Sequence, residues 1–219
     1  MKKQKIYLGA ALLVAFVLWT VAVSLVDVQA IGPEGSAVGF ATVNGFVHRL
    51  TGVCMELYVI TDWLGLVPVA VGFGFAILGL IQWIGRKSLL KVDGSILWLG
   101  GFYLVTLAAY LLFEQVVINY RPVLIEGYLE VSYPSSTTLL VLCVMPTAWL
   151  QLRGRSKGNL PGKLVTAAIW LFIVFMVGGR LLSGVHWLTD IIGGMLLSGG
   201  LVTLYAAVSG VDKQVCKAQ

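Results

Sequence analysis

Charge is what this chain has least of. Of its 219 residues only 11% are Asp, Glu, Lys or Arg, while 58% are hydrophobic, against roughly 25% charged in a soluble domain. With a mean hydropathy of +0.92, a water-soluble enzyme is excluded. Histidine and cysteine are scarce too, at two and three residues. No Cys/His spacing fits a metal site, so no metal ligand is expected. No internal repeat or low-complexity segment stands out, and the glycines are spread through apolar runs, as where helices pack closely in lipid.

What is present is a set of apolar runs near the length of about 20 residues that a spanning helix needs. They predict an all-α integral membrane protein, a single domain over residues 1–219, with six spans at about 6–26, 63–85, 95–113, 135–152, 164–179 and 191–211. The first run follows "MKKQK" and precedes "VQA", which resembles a cleavage site. It is longer than the roughly 7–15 apolar residues of a signal peptide core, so a retained helix is the expectation.

Basic residues set the orientation. Lys2, Lys3, Lys5, Arg86, Lys87, Lys91, Arg153, Arg155, Lys157, Lys163, Lys213 and Lys217 all fall on one side if both termini are cytoplasmic. Only Arg49, Arg121 and Arg180 fall on the other. The net charge of +5 is then a topological signal and calls for no nucleic-acid partner. Cys54, Cys143 and Cys216 are kept apart by the same topology. Asp27, Glu34, Glu56, Asp62, Glu114, Glu126, Glu130, Asp190, His48 and His186 collect on the outer side, so chemistry is expected there.

After the first span, Ser36 to about Leu57 reads as an amphipathic helix lying on the membrane. Val43, Phe46, Val47, Leu50, Cys54 and Leu57 form its apolar stripe. Asn44, His48, Arg49 and Glu56 fall opposite, which makes His48 either a solvated residue or one leaning toward the site.

Three polar clusters flank the outer helix ends. Glu114 with "NYRP" closes the third span. "YPSSTT" opens the fourth, where Pro134 and the hydroxyls of Ser135, Ser136 and Thr137 suit a helix start that cradles phosphate on free N–H groups; taken alone, the cluster is read more simply as ordinary N-capping. "GGRLLSGVHWLTD" joins the fifth and sixth. There His186 and Asp190, four apart, share one face if helical, and a carboxylate on one imidazole nitrogen frees the other for attack or proton transfer. An interfacial Arg180–Asp190 ion pair with His186 as bystander is the competing reading. Arg121 and Arg180 are natural phosphate donors.

In this order, "RP", "PSS-T" and R-x5-H-x3-D resemble the type 2 phosphatidic acid phosphatase superfamily, which includes lipid phosphate phosphatases, undecaprenyl-diphosphate phosphatases and vanadium haloperoxidases. Its motifs are K-x6-R-P, P-S-G-H and S-R-x5-H-x3-D. The resemblance implies His186 as the nucleophile of a phosphohistidine intermediate, Asp190 as its orienting carboxylate, and Arg121, Arg180, Ser135 and the Ser136 backbone as phosphate ligands. It implies no cofactor, and membrane lipids and a lipid phosphate or diphosphate as partners. The setting is the extracytoplasmic face of a bacterial plasma membrane.

Two positions depart from the family. Glu114 stands where the family has lysine, and Thr137 where it has the histidine that protonates the leaving group. Threonine cannot deliver a proton near neutral pH. A diphosphate, whose leaving group departs as an anion, is therefore the expected substrate, with Glu114, Glu126, Glu130 or His48 as auxiliary acid. A lipid phosphotransferase and a non-catalytic lipid-phosphate binder are the alternatives.

Overall fold

In the computed structural model, residues 2–153 and 160–211 are described. Arg155, Lys157, Lys213, Cys216 and Lys217, which the orientation and cysteine readings used, lie outside them. Eight α-helices follow in order: α1 Lys2–Leu25, α2 Ala41–Thr51, α3 Met55–Leu64, α4 Leu66–Arg86, α5 Gly94–Gln115, α6 Ser136–Arg153, α7 Leu160–Leu182 and α8 Leu188–Val208. Among the described residues no strand forms, only isolated bridges.

Among the described residues, five helical stretches are long and apolar enough to cross a membrane: Lys2–Leu25, Met55–Arg86, Gly94–Gln115, Leu160–Leu182 and Leu188–Val208. The sixth expected span, α6, differs in kind. It packs against α4, α5, α7 and α8 at once, so most of its surface meets protein rather than lipid. Its polar residues are satisfied there. Buried Gln151 donates to Tyr205 Oη at 2.6 Å and to the Ser95 carbonyl at 3.1 Å, and Thr147 Oγ1 lies 3.2 Å from Tyr103 Oη. A helix surrounded by helices can carry such groups at little cost because each finds a partner.

The longest seam is α1 against α8. Gly9 and Gly200 let the two backbones meet: a Cβ on either would lie 3.2 Å from the other's carbonyl oxygen. Around this seam gather Phe16, Val23, Tyr133, Leu139 and Leu197.

Three expectations are corrected. The second span starts at Met55 rather than residue 63, because α3 runs almost directly into α4 through Gly65, whose N–H bonds the Thr61 carbonyl at 3.1 Å. The amphipathic segment is only Ala41–Thr51; it stops where Gly52 takes φ +64°, and Cys54 and Leu57 belong to the next helix start. Its polar side is also not uniformly solvated: Arg49 is exposed and His48 half-buried. Asn44 is buried, donating to the Gly39 carbonyl at 2.7 Å and to Thr189 Oγ1 at 2.9 Å, while Val43, Phe46 and Leu50 are exposed. The stripe faces outward and the amide faces protein, as suits a helix with lipid rather than water around it.

Candidate active site

The segment between α5 and α6 folds back on itself. Glu126 and Gly127, at φ +51° and +85°, make a tight turn flanked by the bridges Ile125↔Tyr128 and Tyr120↔Val131. Arg121 N–H donates to the Glu130 carbonyl at 3.0 Å, and Ser132 N–H to the Asn119 carbonyl at 2.9 Å. This hairpin places Asn119 and Arg121 beside Glu130 and Ser132. The turn itself is exposed, so Glu126 stands away from the site.

A second loop, Ser183–Trp187, joins α7 to α8 and carries His186. Gly184 adopts φ +68°, and a Cβ there would meet the Gly52 carbonyl at 1.9 Å. The α2–α3 break therefore docks directly on the histidine loop, held by Cys54 N–H to the Ser183 carbonyl at 3.0 Å.

His186 and Asp190 do not share a helix face. His186 precedes the α8 N-cap Trp187, and Asp190 is the N3 residue, accepting from Trp187 N–H at 2.9 Å. Their closest approach, Nδ1 to Oδ2, is 3.8 Å, too long for a hydrogen bond. Ser132 bridges them. Its Oγ lies 3.0 Å from His186 Nδ1 and makes a short hydrogen bond to Asp190 Oδ2. Asn119 Nδ2 donates to the other oxygen, Oδ1, at 3.1 Å.

This geometry selects a tautomer. Ser132 has one hydroxyl proton, and the carboxylate takes it, so Oγ can only accept from His186. The imidazole proton then sits on Nδ1 and the lone pair on Nε2. Nε2 faces Arg180 Nη2 at 3.3 Å. Burial and the repulsion of Arg121 and Arg180 push the His186 pKa well below its ordinary value, so the ring is neutral near pH 7.

Arg180 is the last-turn residue of α7 rather than a loop residue, and only 1% exposed. It does not pair with Asp190. Its Nη1 lies 3.5 Å from Asp62 Oδ1 on α3, without a hydrogen bond, and its buried Nε has no partner. Arg121 Nε pairs with Glu130 Oε2 at 3.0 Å, while its buried Nη1 is unpartnered. Tyr58 joins the two guanidinium groups, its ring centre 5.0 Å from Arg180 Cζ and 5.7 Å from Arg121 Cζ. Two buried cations with open N–H donors, beside a free imidazole nitrogen, can receive an oxyanion.

Ser135 caps α6: its Oγ accepts from Thr138 N–H at 3.4 Å, but its own N–H is spent on the Asp190 carbonyl at 3.2 Å. Ser136 lines a polar cavity of about 470 Å3 with Glu114, Arg121, Glu130 and Ser132. Thr137 lies instead along an apolar groove of about 940 Å3 between α4, α5 and α6. That groove begins at Asp62, Tyr110, Ser136 and Thr137 and reaches Trp83, Leu89 and Val92 at the opposite helix ends. Glu114, in the last turn of α5, shares the polar cavity with Arg121, which lies beyond the helix end. His48 packs its ring on Trp187 at 5.5 Å; half-buried, it has its pKa lowered by desolvation. Among the described residues no group of three or more His, Cys, Asp or Glu could hold a metal ion.

Ser132, Asn119, Tyr58 and Asp62 were not singled out as site residues from sequence. The available signal was spacing alone: Glu130 and Ser132 are alternate residues, which in an extended segment point to one side.

A family model of the PAP2 superfamily matches residues 102–213, a stretch holding Arg121, Ser132, Arg180, His186 and Asp190. Among solved structures the chain is similar to the transmembrane PAP2-type phosphatidylglycerolphosphate phosphatase from Bacillus subtilis. Identity is 19% and the TM-score 0.50, over 94% of this chain and 96% of that one, a likeness of fold. No curated protein sequence matches.

Proposed function

The chain belongs to the PAP2 superfamily, and from that premise we propose that it is a membrane lipid phosphatase that prefers diphosphates and works through phosphohistidine. The observation that carries the reading is the unprotonated Nε2 of His186, 3.3 Å from Arg180 Nη2, beside the unpartnered N–H groups of two buried arginines. Nε2 attacks phosphorus, the bond to the bridging oxygen breaks, and that oxygen leaves with the electron pair. Water then cleaves the phosphohistidine to inorganic phosphate.

The lipid part of the reading rests on the apolar groove, which runs from Asp62 to Trp83, or about 30 Å at 1.5 Å per helical residue. The diphosphate preference rests on Thr137, which cannot protonate an alkoxide. Of the auxiliary acids, Glu126 sits at an exposed turn, Glu130 is committed to Arg121 and His48 to Trp187. Glu114 also lines the polar cavity, beside Tyr110, with which it is hydrogen-bonded. The helix ends opposite the site carry Arg86, Lys87 and Lys91, which by the positive-inside rule supports an extracytoplasmic setting at the plasma membrane.

Phosphate release from an isoprenyl diphosphate and from phosphatidic acid, measured in detergent for wild type and His186→Ala, tests this. Faster release from the diphosphate, lost in the variant, with acid-labile phosphate trapped on His186, is the expected result. Equal or reversed preference refutes the substrate class. No difference between the proteins refutes the enzyme and leaves a lipid-phosphate binder. Transfer to an added alcohol in place of release identifies a phosphotransferase.

A further inference from the structure

A phosphohistidine is broken by water, and water attacks phosphorus efficiently only when a base takes its proton. Displacement at phosphorus runs in line, with the entering and departing groups on opposite sides. The water therefore enters from the side that the lipid oxygen has just left. With the tail in the apolar groove, that side is the outer end of the groove, where Asp62, Ser136 and Thr137 stand. Neither hydroxyl is a base near neutral pH.

We propose that Asp62 is that base, a catalytic residue for the second half of the reaction; the proposal rests on the phosphohistidine reading above. Its Oδ1 lies 3.5 Å from Nη1 of Arg180, while Nη2 of the same guanidinium lies 3.3 Å from His186 Nε2. A phosphoryl group gripped by Arg180 thus has the nucleophile beside one nitrogen and Asp62 beside the other. The Asp62 side chain is 57% exposed, so water reaches it. Its contact with Arg180 is longer than a hydrogen bond, which leaves its oxygens open to a water proton.

Packing brings α3 to this position. Tyr58 and Asp62, four residues apart, share one helix face, and the Tyr58 ring lies over both guanidinium groups. Beside them Thr61 meets α7 at Gly179, where a Cβ would come within 2.7 Å of Thr61 Cγ2. The residue before Arg180 has no side chain, so α3 approaches closely enough for Asp62 to reach the arginine. The other carboxylates are committed elsewhere. Glu130 pairs with Arg121 at 3.0 Å and Glu114 is hydrogen-bonded to Tyr110, both in the polar cavity. Asp190 is buried, its oxygens taken by Asn119, Ser132 and Trp187.

In the step itself Asp62 takes one proton of the water and the water oxygen bonds to phosphorus. The P–Nε2 bond breaks, and its electron pair returns to Nε2. Inorganic phosphate and a neutral imidazole, its proton still on Nδ1, are left, and the proton on Asp62 passes to solvent. The first half needs no acid with a diphosphate, whose leaving group departs as an anion, so a base alone completes the cycle.

The test follows the two halves separately in the full chain in detergent, with an isoprenyl diphosphate radiolabelled at its terminal phosphate. Asp62→Asn keeps the size of the side chain and removes its basicity. In this variant a single burst of lipid monophosphate should appear at a rate within about threefold of wild type. Breakdown of the labelled phosphohistidine should slow by about 100-fold or more, so that acid-labile label accumulates on His186. Asp62→Glu should restore part of the breakdown rate, and Glu126→Gln, altered only at the exposed turn, should behave as wild type. Asp62→Ser supplies a second protein without the base if the Asn variant is unstable in thermal unfolding, and the same outcomes apply to it.

Equal breakdown in wild type and the base-free variants overturns the proposal. Formation slowed as much as breakdown, with weakened vanadate binding, overturns it too, by making Asp62 a support for Arg180. If wild type forms no phosphohistidine, the phosphatase reading itself fails and takes the proposal with it. Label that forms in both proteins and breaks down equally in both removes Asp62 alone.

Discussion

Ser132→Ala removes the one atom that links His186 to Asp190. In the wild-type site Oγ accepts from Nδ1 at 3.0 Å and donates to Asp190 Oδ2. Without it the carboxylate is 3.8 Å from Nδ1, while Trp187 N–H and Asn119 Nδ2 still hold that carboxylate at 2.9 and 3.1 Å. Asp190 is thus anchored and cannot swing in to replace the lost bond. One hydrogen bond to a charged network contributes about 1.5–3 kcal/mol, and part of it strengthens as positive charge develops on the ring during attack. The corresponding fall in kcat is about 10- to 150-fold. KM should change little, because Arg121 and Arg180 are untouched, and thermal stability in detergent should fall modestly. Ser132→Thr, which keeps the hydroxyl, should recover part of the rate. Phosphate release and the rate of phosphohistidine formation in a single turnover are the assays. A kcat within twofold of wild type, or a loss wholly accounted for by a lowered Tm, would refute the relay.

Three further outcomes are expected. Gly184→Ala forces a side chain into positive φ and onto the Gly52 carbonyl at 1.9 Å; about 1–3 kcal/mol of stability and most activity should be lost together, read by thermal unfolding and phosphate release. Gly100→Phe fills the apolar groove, where a Cβ meets nothing within 4 Å, so kcat/KM for a long-chain diphosphate should fall at least tenfold more than for a short-chain one. Because burial holds the folded His186 pKa well below its ordinary value, the acid limb of the rate profile should lie well under about pH 6.5. Stability moves in the same sense but sooner: the unfolded chain binds the proton first, so stability is lost as pH falls below about 6.5 toward the depressed folded pKa, and His186→Gln should flatten this slope in thermal unfolding.

Much of the scaffold was legible in the sequence because apolar runs and basic loops report on lipid and on nothing else. The same physics hid α6's true role, since a helix enclosed by protein can be as long as a span without being as apolar. Arg121, Arg180, His186 and Asp190 were readable as chemistry through their types and spacing. Their connections were not. Ser132 lies 54 residues from His186 and Asn119 lies 71 from Asp190, so no local period relates them. Tyr58 and Asp62 fall between the expected surface segment, which ended near Leu57, and the expected second span, so neither pattern placed them. Glu114 and Arg121 are seven residues apart, nearly two helical turns, but α5 ends at Gln115 and the hairpin, not the helix, aims the arginine.

That hairpin also explains why three short motifs do not suffice to build the site. Asn44 Nδ2 on α2 donates to Thr189 Oγ1 at 2.9 Å, Asn119 Nδ2 donates to the same oxygen at 3.4 Å, and the chain continues through Asp190 and Ser132 to His186. Every one of these residues is buried, and buried polar groups are costly unless each has its partner. A change at Asn44 would leave the Thr189 N–H and the Gly39 carbonyl short of a partner before it reached His186. α2, with its apolar stripe turned outward and its amide turned in, is in this sense the far end of the hydrogen-bond network around His186.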